Sequence, residues 1–149
     1  MNEDKKWMQI AINESIIAKS EGETPVGAVL VKNGKLIAKA HNQPIYANDP
    51  TAHAEIQVIR KAGKIQKNYR LVGTTLYVTL EPCLMCFGAL MHARVERVVF
   101  GANDTRNKSY RTFKDISNTN QFNHHIIVTG GVLEKQCQET LRSFFKLLR

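Results

Sequence analysis

Two short motifs constrain this chain more than anything else in it: Thr51-Ala52-His53-Ala54-Glu55 and Glu81-Pro82-Cys83-Leu84-Met85-Cys86. They supply one imidazole, two thiols and a carboxylate beside the imidazole. Each stands at the start of a segment with helical patterning, the second directly behind a β-rich run that Pro82 ends. If these groups serve one site, two helix N-termini must converge, as an α/β layer fold permits. Cys83 and Cys86, at i and i+3, present both sulfurs to one face. His53 and Glu55 are two positions apart and would diverge on an ideal helix, so they share a site only at the helix tip.

His53, Cys83 and Cys86 are zinc-type ligands with no obvious fourth. Three protein ligands leave one coordination position open, as a catalytic zinc requires to hold water. The electropositive helix N-terminus lowers thiol pKa, which favours thiolate ligands. Glu55 is placed to move that water's protons as a general acid–base. Other readings of C-x-x-C are a structural zinc knuckle or a redox pair. Cys137 could complete a four-ligand structural site, but it falls on the apolar stripe of the last helix and reads as core. A redox pair leaves His53-Ala54-Glu55 unexplained.

Periodicity organises the rest. Residues 4–20 read as a helix, with Asp4 as a candidate N-cap. Residues 26–31 and 35–40 form a hairpin about Asn33-Gly34. Asp49-Pro50-Thr51 opens a second helix that runs to about Ala62, with Gly63 as its stop. A third strand over 74–80 precedes a helix over 83–92, then a strand over 95–101. Residues 102–123 are polar and read as a long loop. A fifth strand over 125–129 leads to an amphipathic helix carrying Leu133, Cys137, Leu141, Phe144, Phe145 and Leu148. The sum is a three-layer α/β/α fold: a five-stranded mixed sheet, opened by an antiparallel hairpin, with helices on both faces.

The chain has 149 residues, 43% of them apolar, which is the length and material of one domain over 1–149. No apolar run approaches the ~18 residues of a membrane span, and the N-terminal segment lacks a signal-peptide core, which points to the cytoplasm. Three cysteines make an odd count, which argues against a disulfide framework. A formal net charge of +8 suggests a polyanionic partner, or a basic proteome with no such meaning.

The two motifs together form the H-x-E…P-C-x-x-C signature already established for zinc-dependent nucleobase deaminases, adenine-acting enzymes included. The likeness extends over most of the chain. It takes in Pro25-Val26-Gly27-Ala28-Val29, Asn42, Asp49-Pro50-Thr51, Asn68-Tyr69-Arg70-Leu71, Thr75-Leu76-Tyr77-Val78-Thr79-Leu80, Val98-Val99-Phe100-Gly101-Ala102, Asn123-His124 and Phe144-Phe145. On these residues the chain resembles the bacterial tRNA-specific adenosine deaminases. That resemblance implies a cytidine-deaminase-like fold, a homodimer, one Zn2+ per chain and conversion of the wobble adenosine of a tRNA anticodon stem-loop to inosine. It implies His53, Cys83 and Cys86 as metal ligands and Glu55 as proton shuttle. It also implies Asn42, the backbone at Ala54, Val26, and the carbonyl of Leu80 or Glu81 as base contacts. Residues 103–113 depart from the family's Gly/Ala-rich turn and are basic.

Asp104, Arg106, Lys108, Arg111, His124, Phe144 and Phe145 are candidate RNA contacts, each with a plain structural alternative. Phe144 and Phe145 are adjacent on one helix, so one is expected in the core and the other near a groove. Two other functions compete with RNA deamination. One is deamination of a free base or nucleoside such as guanine, cytosine or cytidine, which needs no basic surface. The other is a zinc-stabilised partner subunit without activity of its own, against which Glu55 stands.

Overall fold

Side chains of a β-strand point alternately to its two faces, and here both faces are apolar. The computed structural model describes residues 2–104 and 124–148; Arg106, Lys108 and Arg111 lie outside the described residues. Strands β1 (Gly27–Lys32), β2 (Lys35–His41), β3 (Thr74–Leu80), β4 (Arg97–Ala102) and β5 (Ile127–Thr129) form one sheet in the order β2-β1-β3-β4-β5. β1 pairs antiparallel with β2 and β3, while β3–β4 and β4–β5 are parallel, so the sheet is mixed as expected. The two-residue turn at Asn33 and Gly34, with φ of 52° and 72°, suits the twist of the β1–β2 hairpin.

Ala28, Leu30, Leu76, Val78, Val98 and Phe100 face one core with Val58, Phe87 and Leu90. That layer is made by α3 (Ala54–Gln66) and α4 (Leu84–His92). Val29, Val31, Tyr77 and Val99 face the other, with Trp7, Met8, Ala11, Ile12 and Cys137. That layer is made by α1 (Asn2–Ser20) and α5 (Glu134–Leu147). α1 lies directly on the β1 backbone, for a Cβ on Gly27 would overlap the carbonyl oxygen of Ala11.

Three expectations need correction, and one short element was not expected. Asp4 does not cap α1, which begins at Asn2. Its carboxylate accepts two hydrogen bonds from Arg97, at 2.9 and 2.8 Å, and one from the Tyr77 hydroxyl at 2.9 Å, tying α1 to β3 and β4. Asp49-Pro50-Thr51 does not open α3; Asp49 Oδ1 accepts from the Thr51 N–H and hydroxyl, closing a local turn ahead of the helix. Gly63 does not end α3, which continues to Gln66 and stops at Lys67 in the left-handed conformation. A short helix α2 (Pro44–Ala47), absent from the pattern analysis, is set by Pro44 in its first turn.

Candidate metal centre and base cavity

The divergence problem between His53 and Glu55 is solved by the backbone. His53 is the N-cap of α3 and is extended, with φ −68° and ψ 157°, so only Glu55 follows the helical turn. Cys83 stands in the same relation to α4, with φ −74° and ψ 173°, and Cys86 follows in the first turn. Both helix tips therefore meet. His53 Nδ1 is 3.6 Å from Cys83 Sγ and 3.5 Å from Cys86 Sγ. One ligand atom from each of the three residues falls within 4.8 Å of the others.

This donor set fits zinc. Tetrahedral bonds of ordinary Zn–N and Zn–S length separate N and S by about 3.6 Å, the spacing seen here. The charge distribution agrees. The Cys83 thiol is lowered to about 4, first by a hydrogen bond from Cys86 and then with help from His53. Cys86 is pushed up, chiefly by the same hydrogen bond and by burial. Metal binding requires both sulfurs as thiolates, so a divalent cation bound here would displace their protons. His53 is raised, chiefly through Cys83. Cys137 is buried against Gly101 in the opposite core and takes no part.

Glu55 is 4% exposed, and its carboxyl is pushed up to about 7, mainly by burial. A carboxyl poised near neutrality can both take and return a proton at working pH. Beside it lies a cavity of about 220 Å³ lined by Thr24, Val26, Asn42, His53, Glu55, Leu80, Glu81, Cys83 and Asp104. That volume is below the ~300–1,000 Å³ of pockets for drug-sized ligands and suits a single heterocyclic base. Its walls come from loops fastened to one another. Asn42 N donates to Val26 O at 3.0 Å, Gln43 N to Ala52 O at 2.9 Å, and Glu81 N to Ala102 O at 2.9 Å.

Of the expected base contacts, Val26, Asn42, Leu80 and Glu81 line this cavity. The methyl of Ala54 packs into the core between His53 and Glu55. Thr24 is a wall residue that the sequence reading missed; its position just before Pro25-Val26 was the available signal. Asp104, expected on an RNA-facing loop, is instead 5% exposed in the cavity wall, where its N–H donates to Glu81 Oε1 at 3.2 Å. His124 directs Nε2 to the carbonyl of Val95 at 2.7 Å, a structural use of the ring. Phe144 is buried and Phe145 half-buried, in edge-to-face contact at 5.4 Å, and neither reaches the cavity.

Comparison with known proteins agrees with this geometry. The family described as the cytidine and deoxycytidylate deaminase zinc-binding region matches residues 1–102. A tRNA-specific adenosine deaminase of Buchnera aphidicola (subsp. Baizongia pistaciae) is 49% identical over 146 residues, 98% of this chain and 90% of that protein. One from Bacillus subtilis is 47% identical over 149 residues, all of this chain and 92% of that protein. A solved structure from a study of A-to-I editing by tRNA:A34 deaminases superimposes with a TM-score of 0.83 at 39% identity, covering 91% of this chain and 99% of that one.

Proposed function

The chain belongs to the cytidine and deoxycytidylate deaminase family, and from that premise we propose that it hydrolyses the wobble adenosine of a tRNA anticodon to inosine. The observation that carries this reading is the convergence of His53, Cys83 and Cys86 at two helix tips, with buried Glu55 beside a base-sized cavity. Near-full-length identity to tRNA-specific adenosine deaminases supports the substrate.

His53, Cys83 and Cys86 would hold one zinc per chain. When bound, that ion supplies Lewis-acid activation of water at neutral pH. Glu55 accepts a proton from the attacking water and delivers it to the ring nitrogen N1. It then takes the proton of the new C6 hydroxyl and passes it to the departing amine, so that the C6–N bond breaks, the C6 carbonyl forms, and adenosine and water yield inosine and ammonia. Asn42 hydrogen-bonds the purine, with Val26 against its ring and the backbone at Ala54 reading its edge. The carbonyl of Leu80 or Glu81 receives the amine as it leaves. Water is held off by the buried walls, which strengthens each of these polar contacts.

A base inside a stacked duplex cannot enter such a cavity, so the target is single-stranded or flipped, as in an anticodon loop. The +8 charge favours this polyanion. Arg106, Lys108 and Arg111, basic residues of the polar segment, are the proposed phosphate contacts, and half-buried Phe145 is the one of the two adjacent aromatics left to meet RNA. Residues 1–149 act as one domain that pairs as a homodimer, through exposed apolar side chains such as Leu84 on α4 and Ile65 on α3. No helix among the described residues is long and apolar enough to cross a membrane, and we place the enzyme with tRNA in the cytoplasm.

The test is direct. Zinc-loaded protein is incubated with an anticodon stem-loop bearing adenosine at the wobble position, and with free adenosine, guanine and cytidine. Inosine from the stem-loop, falling steeply as salt rises, is the expected result. Turnover of a free base or nucleoside with none of the RNA overturns the reading.

A further inference from the structure

We propose that Tyr46 is a stacking platform for a nucleotide next to the deaminated adenosine, held in place by the buried carboxylate of Glu23. The proposal rests on the RNA-deaminase reading above and adds to it a specificity-determining residue and the residue that positions it.

Glu23 is 2% exposed, yet it lies among loop residues. Its two oxygens are spent on the short helix α2: Oε1 accepts from Ile45 N at 3.2 Å and Oε2 from Tyr46 N at 2.9 Å. A carboxylate that accepts backbone N–H groups in a dry setting makes charge-assisted bonds, about twice as strong as neutral ones. The segment is fixed from its other end as well. Ala47 N donates to Gln43 O at 3.0 Å, Asp49 N to Pro44 O at 3.0 Å, and Gln43 N to Ala52 O.

What this bracing presents is two large side chains in water: Ile45 is 71% and Tyr46 78% exposed. A rigidly held, solvated aromatic has no stabilising role in the fold of its own chain. Its surroundings identify what covers it. Thr24, next to Glu23, and Asn42, two residues before α2 begins, both line the base cavity, which sets α2 beside the rim of that cavity. A nucleotide strand that delivers one base into the cavity must lay a neighbour across this rim. Aromatic rings at such positions serve as platforms because every base has a π-face. Arg60, half-exposed and 3.4 Å from Asp49 just after α2, adds a cation near the same segment.

The experiment compares wild type, Tyr46→Ala, Tyr46→Trp and Glu23→Gln, all zinc-loaded, on an anticodon stem-loop. 2-Aminopurine is placed on the 5′ or the 3′ side of the target adenosine. Loss of one base–aromatic stack raises KM by about 5- to 150-fold. Tyr46→Ala is expected to show this increase with kcat little changed, and to brighten the bound probe at one of the two positions only. Tyr46→Trp restores both KM and quenching. Glu23→Gln shifts KM in the same direction, and the double variant with Tyr46→Ala is no worse than Tyr46→Ala alone. Wild-type KM and quenching in Tyr46→Ala overturn the platform while leaving the RNA-deaminase reading intact. Additive effects of Glu23→Gln and Tyr46→Ala overturn the positioning role. A wild-type protein inert on the stem-loop overturns both readings together.

Discussion

Asn in place of Asp4 tests whether the long first helix is anchored as the structure indicates. Asp4 joins α1 to two central strands through a bidentate ion pair with Arg97 and a hydrogen bond from Tyr77. Its side chain is 13% exposed and that of Arg97 30%. Hydrogen bonds to charged groups contribute about 1.5–3 kcal/mol. Partial exposure of the guanidinium brings the expected cost toward the lower part of that range, about 2 kcal/mol. For a chain of this size the melting temperature should fall by about 4–8 °C.

The same pair fixes a pH dependence. Arg97 holds the Asp4 carboxyl below its ordinary value of 3.8. A carboxyl lowered by folding stabilises the protein above its unfolded pKa, and that stabilisation is lost as pH falls through the folded pKa. The gap between wild type and Asp4→Asn should therefore be full at pH 7 and close only below pH 3.8. Thermal melts followed by circular dichroism at pH 7 and through the acid range measure it. A variant that melts within about 1 °C of wild type at pH 7 would refute the anchor, set against the ~2–4 °C expected per kcal/mol. So would a gap that persists undiminished in acid.

Gly27→Ala should destabilise by at least the ~1–3 kcal/mol of an overpacked core, because the new methyl meets the backbone of Ala11 and Ser15; a wild-type denaturation midpoint would count against that packing. Cys83→Ala should lose zinc and Cys137→Ala retain it, as read by metal analysis of the purified proteins, because Cys137 lies in the opposite core. Glu55→Gln should abolish inosine formation, measured by nucleoside mass spectrometry, yet bind zinc and fold; surviving turnover would remove Glu55 from its role. Chelation should lower the melting temperature of wild type but not of Cys83→Ala, since a ligand stabilises only the protein that binds it.

Much of the architecture was legible because both faces of the sheet are buried. The runs in β1, β3 and β4 are mostly apolar and buried along most of their length, and Asn33-Gly34 carries its own turn chemistry. The ligand set was legible because His53, Cys83 and Cys86 are few in kind and fixed in spacing. Features decided by distant partners were not. Asp4 resembles a local cap until Arg97, far along the chain, claims its carboxylate. Asp49-Pro50-Thr51 has the composition of a helix start, yet the Asp49 side chain closes a turn on Thr51 instead. Gly63 ends no helix, since a glycine inside a helix costs only about 1 kcal/mol and packing can override it. Asp104 sits beside a polar loop in sequence, but it is buried and bonded to Glu81, just past the end of β3 and far away in the chain.

The claim on which the account turns is that two sulfurs and one imidazole share a single zinc. X-ray absorption at the zinc edge of the metal-loaded protein measures this directly. The account predicts two sulfur neighbours, with nitrogen or oxygen completing a four-coordinate shell. A third sulfur in that shell, or an intact protein that takes up no zinc, would contradict it.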